Sequence, residues 1–352
     1  MTDVMNARKC ALIAGVGGLV GSNLARYLLE LGDWDVIGVS RRPSDLNDRI
    51  QHVSVDLNDR DDCARSIGQL TQVTHVFYAA WAKRSSEEEM CLVNEQMISN
   101  LLDPLDEHAP DLQHVCLVTG TKHYGCHLGP FKTPTKEDDP RLNVPIFYYN
   151  LEDYIQQKRW TWSVARPHTI MGFAHGNLMN MGVTLAVYAT LAKELHLPFR
   201  FSGAPLQYHG VVDIVDVDLL VRHLVWSSTT PRAANQAFNV VNGDVFRWEQ
   251  MWPKITDFFA LPQAEYDGMF RLEELMAGKE DVWASLVRKY HLQPYQLHEL
   301  AQWWHTDGDF CRNYEAFNDM SKSREIGFLE YRNSEKTLLD LFRTLREQRI
   351  IP

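Results

Sequence analysis

The chain has 352 residues, enough for one large α/β unit or two closely packed domains. Apolar residues make up 45% and charged residues 23%, which speaks against a disordered chain; a net charge of −11 without a basic run speaks against nucleic acid as a partner. The six cysteines (10, 63, 91, 116, 126 and 311) show no Cys-x-x-Cys spacing, which fits reduced thiols in a cytoplasmic protein.

Arg8-Lys9 followed by an apolar run imitates a secretion signal, but glycines at 15, 17, 18 and 21 interrupt it, so targeting is rejected. Residues 10–15 instead form a strand apolar on both sides, as expected in a helix-covered parallel sheet. A helix over 19–31 follows, then strands at 35–40, 50–55 and 74–80. Helical periodicity runs over 87–102, where Pro104 is expected to stop it, and a fifth strand covers 114–119. The stretch 120–145, with two glycines and four prolines after Gly120, reads as a long functional loop. A helix near 147–158 and a strand at 161–166 come next.

After Pro167 the alternation stops. Residues 167–192 lack charged side chains but carry histidines, asparagines and glycines, so they suit a buried loop and helix better than a membrane span. One more strand is read at 236–241, and helices dominate from about 248. The pattern implies a doubly wound parallel sheet, the Rossmann fold, with a smaller and mostly helical C-terminal lid. The nucleotide-binding part is drawn as 1–170 plus about 206–247, and the lid as 171–205 plus 248–352.

Gly15-Val16-Gly17-Gly18-Leu19-Val20-Gly21 is Gly-x-x-Gly-x-x-Gly between strand and helix. Gly15 suits a tight turn, Gly18 lets backbone approach a pyrophosphate held by the helix N-terminus, and Gly21 permits close packing. The second strand ends Ser40-Arg41-Arg42, where an NAD enzyme usually has an acidic residue. Two arginines suit a 2′-phosphate, so the expected cofactor is NADP(H). Asp56-Leu57 ends the third strand and is expected to meet the adenine. Tyr78-Ala79-Ala80-Trp81 closes the fourth, where small residues let the cofactor lie against backbone. Thr119-Gly120 and the backbone of Arg166-Pro167-His168 end two more strands and complete the expected cofactor contacts. The His168 side chain itself reads equally as packed or solvated.

Lys122 follows the fifth strand and Tyr148 opens the next helix, so both belong near the crevice at the strand ends. A phenol there can donate to a substrate oxygen, and an ammonium nearby strengthens the positive potential. The rival pair is Tyr154 and Lys158. Residue 154 lies six positions past 148, roughly 240° around a helix, so both phenols cannot face the crevice. Trp81, Tyr149, Met179 and Met181 are expected around the substrate, although core packing explains the methionines equally well. His291, His298 and His305 recur at seven-residue spacing, but Pro294 interrupts them and no metal site is expected.

Several segments now resemble one family: Val76-Phe77-Tyr78 with Trp81, Thr119-Gly120-Thr121-Lys122-His123-Tyr124, Phe147-Tyr148-Tyr149 with Leu151-Glu152-Asp153, and Asn242-Gly243-Asp244-Val245-Phe246. They are similar to the progesterone 5β-reductase/iridoid synthase-like enone reductases, which are atypical extended short-chain dehydrogenases. The resemblance implies NADPH-dependent reduction of a C=C bond conjugated to a carbonyl, with Lys122 and Tyr148 as catalytic lysine and tyrosine. It implies a small hydrophobic α,β-unsaturated carbonyl substrate. By analogy with related dehydrogenases, the helices near 87–102 and 147–158 could form a homodimer face. Extra residues around Gly125-Cys126-His127-Leu128, and a shorter loop from there to Phe147, set this chain apart from the plant members. Two other readings stand beside this one. One is a ketone or nucleotide-sugar enzyme acting through Tyr154 and Lys158; the other is a non-catalytic NADP-binding sensor.

Overall fold

The first strand, β1 (Lys9–Ala14), shows why the sheet is covered on both faces. Cys10, Leu12 and Ala14 enter one apolar layer, and Ala11 and Ile13 enter the other, as the two-residue period of a strand requires. These observations come from a computed structural model that describes residues 8–43, 46, 48–175 and 180–352. Met179 lies outside the described residues.

Parallel to β1 run β2 (Trp34–Ser40), β3 (Gln51–Ser54), β4 (His75–Tyr78), β5 (His114–Val118) and β6 (Thr161–Pro167). A separate two-stranded piece pairs β7 (Ile170–Met171) with β8 (Val215–Asp216), after which β9 (Gln236–Val240) joins the main sheet beside β6. The strand order is β3-β2-β1-β4-β5-β6-β9. Connections therefore reverse direction between β1 and β4, which opens a crevice at the carboxyl ends of those two strands.

Helices cover the sheet in two layers. On one face lie α2 (Arg60–Ile67), α3 (Glu87–His108) and α4 (Phe147–Gln156), burying Cys63, Ile67, Leu101, Leu105, Leu151 and Ile155. On the other lies α1 (Leu19–Leu31), which buries Leu24 and Leu28. Further along, α5 (Met181–Glu194) is buried at every position from Met181 to Ala192. It anchors a second core with Phe199, Phe310 and the C-terminal helix Ser334–Glu347. After the short α6 (Pro205–His209), α7 (Val217–Thr229) returns to the sheet beside α1, and α8 (Trp248–Phe258) adds Trp248 and Trp252 to the second core.

Three details differ from the sequence reading. Pro104 does not end its helix, which continues to His108. A proline inside a helix costs about 3 kcal/mol, but Leu101, Leu102 and Leu105 are fully buried there, and each such side chain contributes roughly 1.5–3 kcal/mol. The helices α2 and α7 carried no strong signal; α2 buries only Cys63 and Ile67. Among the described residues, no helix is long and apolar enough to cross a membrane. No group of three or more metal-ligating side chains occurs among them.

Candidate active site

The glycine turn has the close contacts that its pattern implies. Gly15 adopts φ +84°, and a Cβ there would lie 2.9 Å from the carbonyl oxygen of Ala79. A Cβ on Gly21 would lie 2.2 Å from the Gly15 oxygen. The turn is thus pressed against both the end of β4 and the start of α1. No side chain caps α1, whose N-cap is Gly18, so its first N–H groups are left for a ligand. This cradle fits a pyrophosphate: a Cβ at Gly15 or Gly21 would strike backbone and distort it, and the helix dipole favours an anion.

Around the turn, Arg41 and Arg42 are exposed just past the end of β2. Ser40 donates to the Arg42 carbonyl at 2.6 Å and so shapes that turn. Asp56 accepts from the backbone and side chain of Asn58 at 3.0 and 2.8 Å. Those bonds hold its carboxyl below the usual range, so it remains an acceptor at neutral pH. Leu57 and the Tyr78 side chain are core residues; only the backbone of Tyr78 reaches the crevice edge. Ala79 and Ala80 are half-buried at that edge. The adjoining loop is held by the fully buried Asn94, which accepts from the Ala82 N–H at 2.7 Å and donates to the Ala82 carbonyl at 2.9 Å. Lys83 then places its ammonium 3.8 Å from the ring centre of Trp304 and so ties this loop to the lid.

Tyr148 stands at the carboxyl end of β5. A Cβ on Gly120 would lie 3.4 Å from the Tyr148 hydroxyl and 3.2 Å from the Pro167 carbonyl oxygen, so the ends of β5, β6 and α4 meet at one point. Three contacts fix the ring. Glu87 of α3 accepts from the Phe147 N–H at 3.0 Å and secures the start of α4. The Phe147 ring lies 4.4 Å from that of Tyr148, and Trp81 stacks on Phe147 at 6.0 Å. Burial first, and the nearby Cys126 and Glu87 second, push the Tyr148 phenol well above its usual pKa. It is a neutral O–H at working pH, and among the described residues it donates to no protein acceptor.

The other tyrosines are engaged elsewhere. Tyr149 donates to the His123 carbonyl at 2.6 Å and accepts from the Leu142 N–H at 3.1 Å, so it fastens the 125–146 loop rather than offering its hydroxyl to a substrate. Tyr154 donates to Asp103, to which Lys158 also donates at 2.8 Å. The rival pair is therefore bound to the outer side of α3. Lys122 sits in the short turn after β5, where its charge acts on Cys126, His127 and His305. The side-chain charges acting on Tyr148 itself are those of Cys126 and Glu87.

Arg166 is nearly buried, and its guanidinium grips Glu152 through Nε and Nη2 at 3.2 and 3.0 Å, with Nη1 reaching Tyr124 at 3.2 Å. Burial alone would raise the Glu152 carboxyl; contact with His123 and the Arg166 charge outweigh it and bring it down to about 2. The Arg166 side chain is thus a strut beneath the site, and only the backbone of this segment faces the crevice. Thr119 bonds back to Ala165. His168 bonds to Asp213 and, with Met181, borders a small cavity between the sheet and the second core. Asn94, Glu87 and Asp213 escaped the sequence reading, and Glu152 entered it only as part of the Leu151-Glu152-Asp153 segment, without a role.

Comparison with known proteins places this geometry among relatives. The (S)-8-oxocitronellyl enol synthase of Catharanthus roseus is 37% identical, covering 98% of this chain and 93% of its own. A second such enzyme, from Nepeta cataria, is 38% identical over 97% of this chain and 91% of its own. The 3-oxo-Δ4,5-steroid 5β-reductase of Arabidopsis thaliana is 37% identical over 97% and 93%. Among solved structures, the UDP-glucose 4-epimerase of Thermotoga maritima superposes with a TM-score of 0.68 at 16% identity, covering 96% of this chain and 99% of that one. That likeness concerns the fold. The model of the PRISE-like Rossmann-fold domain matches residues 50–352. By that match and by relatives aligned over nearly its whole length, the chain belongs to the PRISE-like family.

Proposed function

We propose that the protein is an NADPH-dependent reductase of C=C bonds conjugated to a carbonyl. One observation carries the reading: the Tyr148 hydroxyl stands at the strand ends, protonated and without a protein acceptor among the described residues, where a substrate oxygen would meet it. The glycine cradle and uncapped α1 would hold the pyrophosphate, Arg41 and Arg42 the 2′-phosphate, and the Ala79–Ala80 backbone would lie along the cofactor. The names of the relatives, an enol synthase and a steroid 5β-reductase, support the same chemistry.

Bound NADPH supplies hydride to the β-carbon of the enone. Charge then gathers on the carbonyl oxygen, and Tyr148 meets it with a hydrogen bond. Trp81 and Phe147 wall the apolar side of that position. Lys122 adds positive potential at the mouth of the crevice. Sugar-nucleotide or ketone chemistry through Tyr154 and Lys158 is disfavoured, because Asp103 holds both groups on the far side of α4. Purified protein should oxidise NADPH with small enones and not with simple ketones or UDP-sugars. Oxidation with UDP-sugars alone would overturn the proposal, and tight NADPH binding without any turnover would favour the sensor.

A further inference from the structure

We infer that His52 and Ser54, two side chains of β3, are positioning residues for the 2′-phosphate of the coenzyme: they fix the turn that presents Arg41 and Arg42. This rests on the NADPH reading above. In the register of β2 and β3, Gly38 lies opposite His52 and Ser40 opposite Ser54. Side chains two apart on a strand, and those directly opposite on its neighbour, share one face, so Ser40, His52 and Ser54 emerge together. That face lies against the glycine turn: a Cβ on Gly38 would come within 2.8 Å of a methyl of Val16.

Both strands stop short of the arginines, β2 at Ser40 and β3 at Ser54, so the sheet ladder does not take the carbonyls of Arg41 and Arg42. Two hydroxyls take them instead. Ser40 donates to the Arg42 carbonyl at 2.6 Å, and Ser54 donates to the Arg41 carbonyl at 3.2 Å. The Ser40 oxygen also lies 3.0 Å from His52 Nε2. A serine has one hydrogen, and that of Ser40 is committed to a carbonyl, so towards the imidazole Ser40 accepts and His52 Nε2 carries the proton. Donation therefore runs from His52 to Ser40 to the Arg42 carbonyl, with Ser54 holding Arg41 beside it. The Arg41 charge acts on Asp56, two residues beyond β3, so the held turn keeps that guanidinium near the carboxyl end of the sheet.

An arginine pair on a loose turn would have to be ordered by the ligand itself. A turn fixed in advance spares that ordering, and the gain appears only with a ligand that the arginines can grip. The 2′-phosphate offers that grip through charge-assisted bonds; NADH and 5′-AMP lack it. Each side-chain bond to the turn should therefore contribute about three- to tenfold to the affinity for a 2′-phosphorylated ligand, and nothing to the affinity for the rest of the coenzyme.

The test measures Kd by isothermal titration of the full chain with 2′,5′-ADP and with 5′-AMP, so it needs no turnover. The wild type should bind 2′,5′-ADP far more tightly. Ser54→Ala, at an exposed position, and His52→Leu should each bind 2′,5′-ADP about three- to tenfold more weakly and 5′-AMP as the wild type does, which also shows that they are folded. His52→Gln, whose amide N–H stands in for Nε2–H, should recover most of the loss. Unchanged 2′,5′-ADP binding in Ser54→Ala or His52→Leu, equal losses for the two ligands, or no recovery in His52→Gln overturns this inference alone. Equal affinity of the wild type for both ligands, or no binding of either, overturns the NADPH reading and this inference with it.

Discussion

At the scale of single residues, two phenols on one helix have different environments and so different duties. Tyr148 has no protein acceptor among the described residues and stands over Gly120, whereas Tyr154 is committed to Asp103. Tyr148→Phe removes the donor that meets the oxyanion and should lower kcat with an enone by about 10²–10³, with the Kd for NADPH little changed in a fluorescence titration. Tyr154→Phe should leave kcat with the same enone within about twofold, since a surface hydrogen bond contributes only about 1 kcal/mol and to stability, not turnover. Equal losses in the two variants would move the active phenol. The place of Tyr148 near the strand ends was legible in the sequence, because it opens a helix between two strands of the sheet. The fixing of His168 by Asp213 was not, because 45 residues separate the partners and only the fold brings them together. Arg166 shows the same limit: its guanidinium serves Glu152, and the pairing of the two is set by the fold.

At the scale of elements, the start of α1 is the most constrained piece of the chain. A methyl on Gly21 would strike backbone atoms of Gly15 and Val16 within 2.8 Å, and backbone cannot step aside as a flexible side chain can. Gly21→Ala should weaken NADPH binding on the order of tenfold or more, a loss of at least about 1.4 kcal/mol, measured by titration. Replacing Arg41 and Arg42 together by alanine should raise KM for NADPH far more than KM for NADH; an equal rise would remove the 2′-phosphate assignment. The strands and α1 were readable because burial on both faces and a glycine run leave strong local marks. The helix α2 was not, since two buried side chains in eight residues make no clear period. Its Asp59 cap, which accepts from Asp62 N–H at 2.9 Å, was the clue on offer. Pro104 misled for a related reason: sequence shows the missing N–H but not the sheet that holds the helix on either side of it.

At the scale of the whole molecule, buried imidazoles set the response to acid. Burial holds His75 at about 4 and both His114 and His223 at about 3, against roughly 6.5 in an unfolded chain. Between these values the unfolded state binds more protons, so stability falls as pH drops from about 6.5 towards 4, by up to roughly 1.4 kcal/mol per pH unit for each ring. Tm measured between pH 7.5 and 5 should therefore decline well before the carboxylates titrate; a flat profile would mean that these rings are already solvated in the native state.

The contact between Lys83 and Trp304 ties the loop after β4 to the C-terminal helical part. An ammonium on an exposed indole is worth only about 0.5–1 kcal/mol, weak enough to let go thermally many times a second. Trp304 emission, taken as the difference between the wild type and Trp304→Phe because the chain has ten tryptophans, should shift when the coenzyme enters. In Lys83→Met that signal should lose its dependence on ionic strength, because no charge is left at the gate to be screened.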